Sequence, residues 1–102
     1  MTQQEIHERN KQIALMLGWE YDIQAEAWYK NQKDHEWGYK IEELKFHSDW
    51  NWLMEAIQFL QKHFESKERS WTTIERYPLY SNIEDVFIVV SDFAKLYNNK
   101  EL

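Results

Sequence analysis

From Phe46 to Phe64 the chain reads FHSDWNWLMEAIQFLQKHF, a helical pattern with apolar side chains on two opposing faces. At ~100° per residue, Trp50, Leu53, Met54, Ile57, Leu60 and Phe64 form one stripe, about 120° wide. Trp52, Ala56, Phe59 and His63 form a second stripe nearly opposite the first. Glu55, Gln58, Lys62 and Glu65 occupy the sector that remains. A helix with two apolar faces and one narrow polar strip is normally covered on both sides, so the chain must supply or recruit two layers around it. The first stripe is expected to face a sheet. The second is either covered from within, by the first helix or the Trp28–Trp37 segment, or exposed as a surface for another chain.

The composition sets the scale of what can be built. A chain of 102 residues supports one core, and residues 1–102 are expected to form a single domain. Six Trp, six Tyr and five Phe bury large areas per residue, and two Gly with one Pro leave few breakers. That is not a disordered composition. The absence of Cys removes disulfide scaffolds and thiolate metal sites. MTQQEIHERNK lacks the apolar centre of a signal peptide, and the apolar run Val86 to Val90 is far too short for a bilayer. A cytoplasmic protein with no membrane association is the expectation. The formal charge of −6 repels nucleic acid and anionic lipid, and Glu65 and Glu68 interrupt the basic group Lys62, Lys67 and Arg69. Direct nucleic-acid binding is therefore not expected.

Periodicity and capping signals place the other elements. Thr2-Gln-Gln-Glu5 has capping-box spacing and Gly18 is placed to end the helix it opens. Ile6, Asn10, Ile13, Met16 and Leu17 lie on one side of that helix, with Ile13, Met16 and Leu17 inward. WEYDI alternates as a strand does, AEAWYK fits either type, and NQKDHE reads as a polar turn. WGYKIEELKF alternates over Trp37, Tyr39 and Ile41, then breaks at Glu42-Glu43, which suggests one bent strand or two short ones with the Glu pair at a bulge. Ser48 and Asp49 open the second helix, which should run from Asp49 to about Glu65. SKERS is a polar linker, and WTTIERYPLY is β-rich, with Pro78 restricting it to an edge or strand end. Ser81-Asn-Ile-Glu84 has capping-box spacing for a third helix ending near Asn98. Ser48 and Ser81 thus occupy equivalent places in two similar strand–turn–helix units. The expected fold class is α+β, order α-β-β-α-β-α, a small mainly antiparallel sheet packed by three helices.

Reactive constellations are sparse. His7, His35, His47 and His63 have no metal-ligand spacing among them, HExxH is absent, and no metal or cofactor is expected. Ser48 and Ser81 read as caps, since no G-x-S-x-G surrounds them. Glu42-Glu43 and Asp34-His35-Glu36 read as surface acids rather than acid/base pairs. His47 precedes a helix cap in a β–α turn, a place where active-site residues often sit. Trp28, Tyr29, Trp37 and Tyr39 gather around a polar turn, where aromatic rings pack in a core, anchor a protein partner or stack a ligand. No catalytic residue is assigned.

FHSDWNWLMEAI resembles the SWDWLM-type helix of small phage and prophage proteins of unknown function. IALMLGW before it and NIEDVFIVVSDFAKLYNN after it extend the resemblance in the same order, with Glu55 where such proteins often carry Pro. The whole looks related to the phage ABA sandwich domain, an α/β layered module. The resemblance implies a phage- or prophage-derived accessory protein and assigns no catalytic residue. The first expected function is a non-enzymatic interaction module, binding a protein partner or forming a homodimer through Trp52, Ala56, Phe59 and His63. The alternative is a protein that sequesters or modifies a small nucleotide or metabolite, with Trp28, Trp37 and His47 lining a pocket between sheet and helix.

Overall fold

The computed structural model describes residues 1–30, 38–66 and 82–101. Helix α1 (Gln3–Met16) is followed by strands β1 (Glu20–Asp22), β2 (Ala27–Tyr29) and β3 (Gly38–Tyr39). A 3-10 turn (Ile41–Glu43) then leads to α2 (Trp50–Ser66) and α3 (Ile83–Asn98). The class is α+β, and the described strands form one antiparallel sheet in the order β1-β2-β3. Among the described residues the element order is therefore α-β-β-β-α-α. The expected strand over 71–80, the polar turn 31–36 and Trp37 lie outside the described residues.

The start and stop of α1 follow from its sequence. Thr2 Oγ1 accepts a hydrogen bond from the Glu5 amide at 3.2 Å. At the other end Gly18 takes φ +86°, where a side chain would be strained. The Gly18 amide donates to Leu15 O and the Trp19 amide to Ala14 O, the paired bonds of a Schellman turn. That turn folds Trp19 back into the core, where it is 5% exposed. Ile13 and Met16 are buried as their spacing requires, and Leu17 is half-buried at the edge.

The hairpin is made by Asp22, whose carboxylate accepts from the Gln24 and Ala25 amides, and by Glu26 at φ +52°. Its register aligns Tyr21 with Trp28, and Trp28 with Tyr39, so three rings lie side by side across one face. On the other face Gly38 lets the Tyr29 ring lie close, since a Cβ at Gly38 would sit 3.0 Å from it. The Glu pair does not form a bulge. Strand β3 ends at Tyr39, and Glu43 Oε1 accepts from the Lys40 amide at 3.0 Å, capping the 3-10 turn instead.

Both later helices are capped one residue beyond the serines. Asp49 accepts from the Asn51 amide through its side chain and from the Leu53 amide through its carbonyl, which makes Asp49 rather than Ser48 the cap of α2. Asn82 Oδ1 accepts from the Asp85 amide at 2.9 Å and caps α3. The first stripe of α2 supplies the centre of the core through Leu53, Ile57, Leu60 and Phe64, and Val86, Phe87 and Val90 of α3 belong to the same cluster. Helices α1 and α3 are clasped by polar bonds. Arg9 Nη1 donates to Ile88 O, Ser91 Oγ and Asp92 Oδ1, while Asn98 Nδ2 donates to both oxygens of Gln12. The exposed Arg9–Asp92 pair contributes about 1 kcal/mol at most, so the bond to buried Ser91 does more to fix the helix register. None of the described helices is long and apolar enough to cross a membrane.

Candidate functional site

The second stripe of α2 is covered from within the chain. Trp52 is half-buried among Trp19 at 5.7 Å, Tyr39 at 5.3 Å and Phe46 at 5.3 Å between ring centroids. Ala56 has no exposed surface. Towards the C-terminus of α2, Tyr97 of α3 meets Phe59 edge-on at 5.3 Å and His63 at 5.1 Å. The cover is thus built from Trp19 just beyond α1, from Tyr39 and Phe46 on either side of the 3-10 turn, and from Tyr97. Phe59 and His63 stay half-buried at the rim of this contact.

Trp28 and His47 occupy different surroundings. Trp28 is 3% exposed and its ring lies 5.1 Å from Tyr21, so it is a core side chain with little surface to offer a ligand. His47 lies half-buried between α1 and α3. Its Nδ1 is 3.0 Å from Asn10 Nδ2 and its ring centroid 6.0 Å from Phe87. Burial, and then the charge of His7, lower its pKa below the usual imidazole value. Among the described residues no group of three or more His, Asp or Glu is placed to hold a metal ion.

One surface feature, at Tyr21 and Ile23, was not among the expected contact residues. The aromatic row across the sheet begins in the core, where Tyr39 packs on Trp19 and Trp52, and passes through buried Trp28. It surfaces at Tyr21, 47% exposed, beside Ile23, which is 81% exposed at the hairpin tip. Grooves flank Tyr21 on both sides. Glu26, Lys40, Ile41 and Glu42 line one, and Asp22, Ile23, Gln24 and Tyr29 help to line the other. Residues 20–29 carry Glu20, Asp22 and Glu26 with no basic side chain. The signal in the sequence was WEYDI itself: strand alternation places Trp19, Tyr21 and Ile23 on one side, and only Trp19 reaches the core.

A second concavity lies between α1 and α3, bordered by Glu5, Glu8, Arg9, Gln12, Asp92 and Lys95. Arg9 spends its Nη1 donor capacity on α3 there, so this groove is the outer side of the helix clasp. No protein-family model matches the chain, and comparison with curated proteins and with solved structures gave no significant match.

Proposed function

We propose that the chain is a non-enzymatic interaction module that docks an extended segment of a protein partner on the β1–β2 hairpin. The observation that carries this reading is the exposed pair Tyr21 and Ile23, standing at the end of an aromatic row that passes through buried Trp28 to half-buried Tyr39. A ring buttressed from behind loses little freedom on binding, which suits Tyr to anchoring an interface. Among the described strands none pairs with the outer edge of β1, the side on which an extended segment would lie beside Tyr21. The acids of residues 20–29 favour a segment whose apolar side chains are flanked by Lys or Arg. They disfavour a second copy of this chain, because a two-fold pairing centred on Tyr21 sets Glu20 against Asp22 of the other copy.

The helix face of Trp52, Ala56, Phe59 and His63 is a weaker choice of contact surface, since rings of the same chain already occupy much of it. The small-ligand reading has less support, because Trp28 is committed to the core. A randomised library of short peptides, selected on the intact protein and counter-screened on a Tyr21→Ser/Ile23→Ser variant of equal thermal stability, tests the proposal. Enriched peptides should carry aliphatic residues beside Lys or Arg and lose at least ~10-fold in affinity for the variant, the size expected for removing an aromatic anchor. Peptides that bind both proteins equally would overturn it.

A further inference from the structure

We propose that Asn10 and His47 form an acid-sensitive latch between α1 and the segment that leads into α2. Asn10 has no exposed surface, and its side-chain nitrogen lies 3.3 Å from Leu44 O and 3.0 Å from His47 Nδ1. A backbone carbonyl can only accept, so the amide nitrogen must be the atom that faces Leu44. The same amino group then points its second hydrogen at His47 Nδ1, which must present a lone pair. His47 is therefore neutral, with its proton on Nε2. Protonation at Nδ1 would set one donor against another.

The amide has a second orientation to offer. Asn10 Oδ1 is buried and has no hydrogen-bond partner among the described residues. Turning the amide over lets this oxygen accept from a protonated Nδ1, and the Leu44 carbonyl then loses its donor. In neutral solution the amide ties both Leu44 and His47 to α1. In acid it ties only His47, and the buried Leu44 carbonyl is left uncompensated, an unfavourable change. The groups around His47 favour the neutral arrangement. Helix α1 contributes His7, whose positive charge opposes a second one nearby, and α3 contributes the uncharged Phe87 ring, with Glu84 and Asp85 exposed on its first turn. Lys45 and Asp49 flank His47 along its own segment. Burial is the larger influence and acts in the same direction as His7.

The consequence reaches the aromatic row. Leu44 and Phe46 are both buried, and Phe46 packs its ring on Trp19 and Trp52. Freeing the Leu44 carbonyl loosens the segment that holds this cover over Trp52. Because the folded pKa of His47 lies below its unfolded value, the unfolded chain binds more protons as the pH falls. The latch thus gives its full stabilisation above the ordinary imidazole pKa of about 6.5, and loses it as the pH drops through the lowered folded value.

An imidazole nitrogen–proton NMR titration of the intact protein, followed together with the Asn10 side-chain amide and the tryptophan fluorescence, tests the latch. At neutral pH the His47 proton should sit on Nε2, with a midpoint below about 6.5, and the Asn10 amide signals should shift with that same midpoint. Asn10→Asp supplies a second test, since a carboxylate beside Nδ1 favours the charged ring and should raise the midpoint. A proton on Nδ1 at neutral pH, a midpoint at or above the ordinary value, or Asn10 signals that stay flat through the titration would overturn the proposal. So would an unchanged midpoint in a folded Asn10→Asp protein. The latch does not depend on the hairpin reading, and none of these readouts involves a partner.

Discussion

Trp52 shows how a single side chain is placed by residues remote in sequence. Its direction on α2 follows from helical spacing, but the rings that receive it come from Trp19, Tyr39 and Phe46. The Gly18 stop could be read from the sequence, whereas the place to which the Schellman turn delivers Trp19 could not, because it depends on tertiary packing. Asn10 is similar: helical spacing puts it on the inward side of α1, yet the reason for a buried amide appears only once Leu44 and His47 are beside it. Trp52→Ala removes one member of a four-ring cluster and leaves a void against Trp19. With Trp52 half-buried, the expected loss is about 2–4 kcal/mol in chemical denaturation. A variant as stable as the wild type would mean that these rings contribute little to the core.

At the level of elements, helices were far more legible than strands. The 3.6-residue pattern located α2 and α3 to within a residue or so, because stripes of four to six apolar positions repeat over several turns. The caps slipped by one position in both cases. Serine, aspartate and asparagine all supply a cap acceptor, and spacing alone does not choose between Ser48 and Asp49 or between Ser81 and Asn82. Removing the acceptor in Asp49→Ala or Asn82→Ala should therefore destabilise the protein by about 1 kcal/mol each, with Ser48→Ala close to neutral, as read from denaturant midpoints. A reversed ranking of Ser48 and Asp49 would contradict the observed cap. Strands of three, three and two residues are too short to establish a period. The alternation that continued from Tyr39 to Ile41 gave no sign that Glu43 would fold back to the Lys40 amide and stop the sheet.

At the level of the whole molecule, the two-faced helix explains both the architecture and the placement of the candidate site. One face of α2 fills the core shared with α3, and the other is taken up by the aromatic cluster that continues into the sheet. The row runs out of cover at the hairpin, so Tyr21 and Ile23 are left in solvent there, while the large apolar side chains exposed on the helices, Leu15 and Leu96, lie apart from the second face of α2. The net charge of −6, including the three acids of the hairpin, opposes self-association through that edge. Sedimentation of the wild-type protein beside Trp52→Ala, across a wide concentration range at moderate salt, tests this arrangement most directly. The expected result is a wild-type monomer of 12.7 kDa at every concentration. A wild-type dimer that becomes a well-folded monomer in Trp52→Ala would contradict it, and would place the second face of α2 in an interface between two copies.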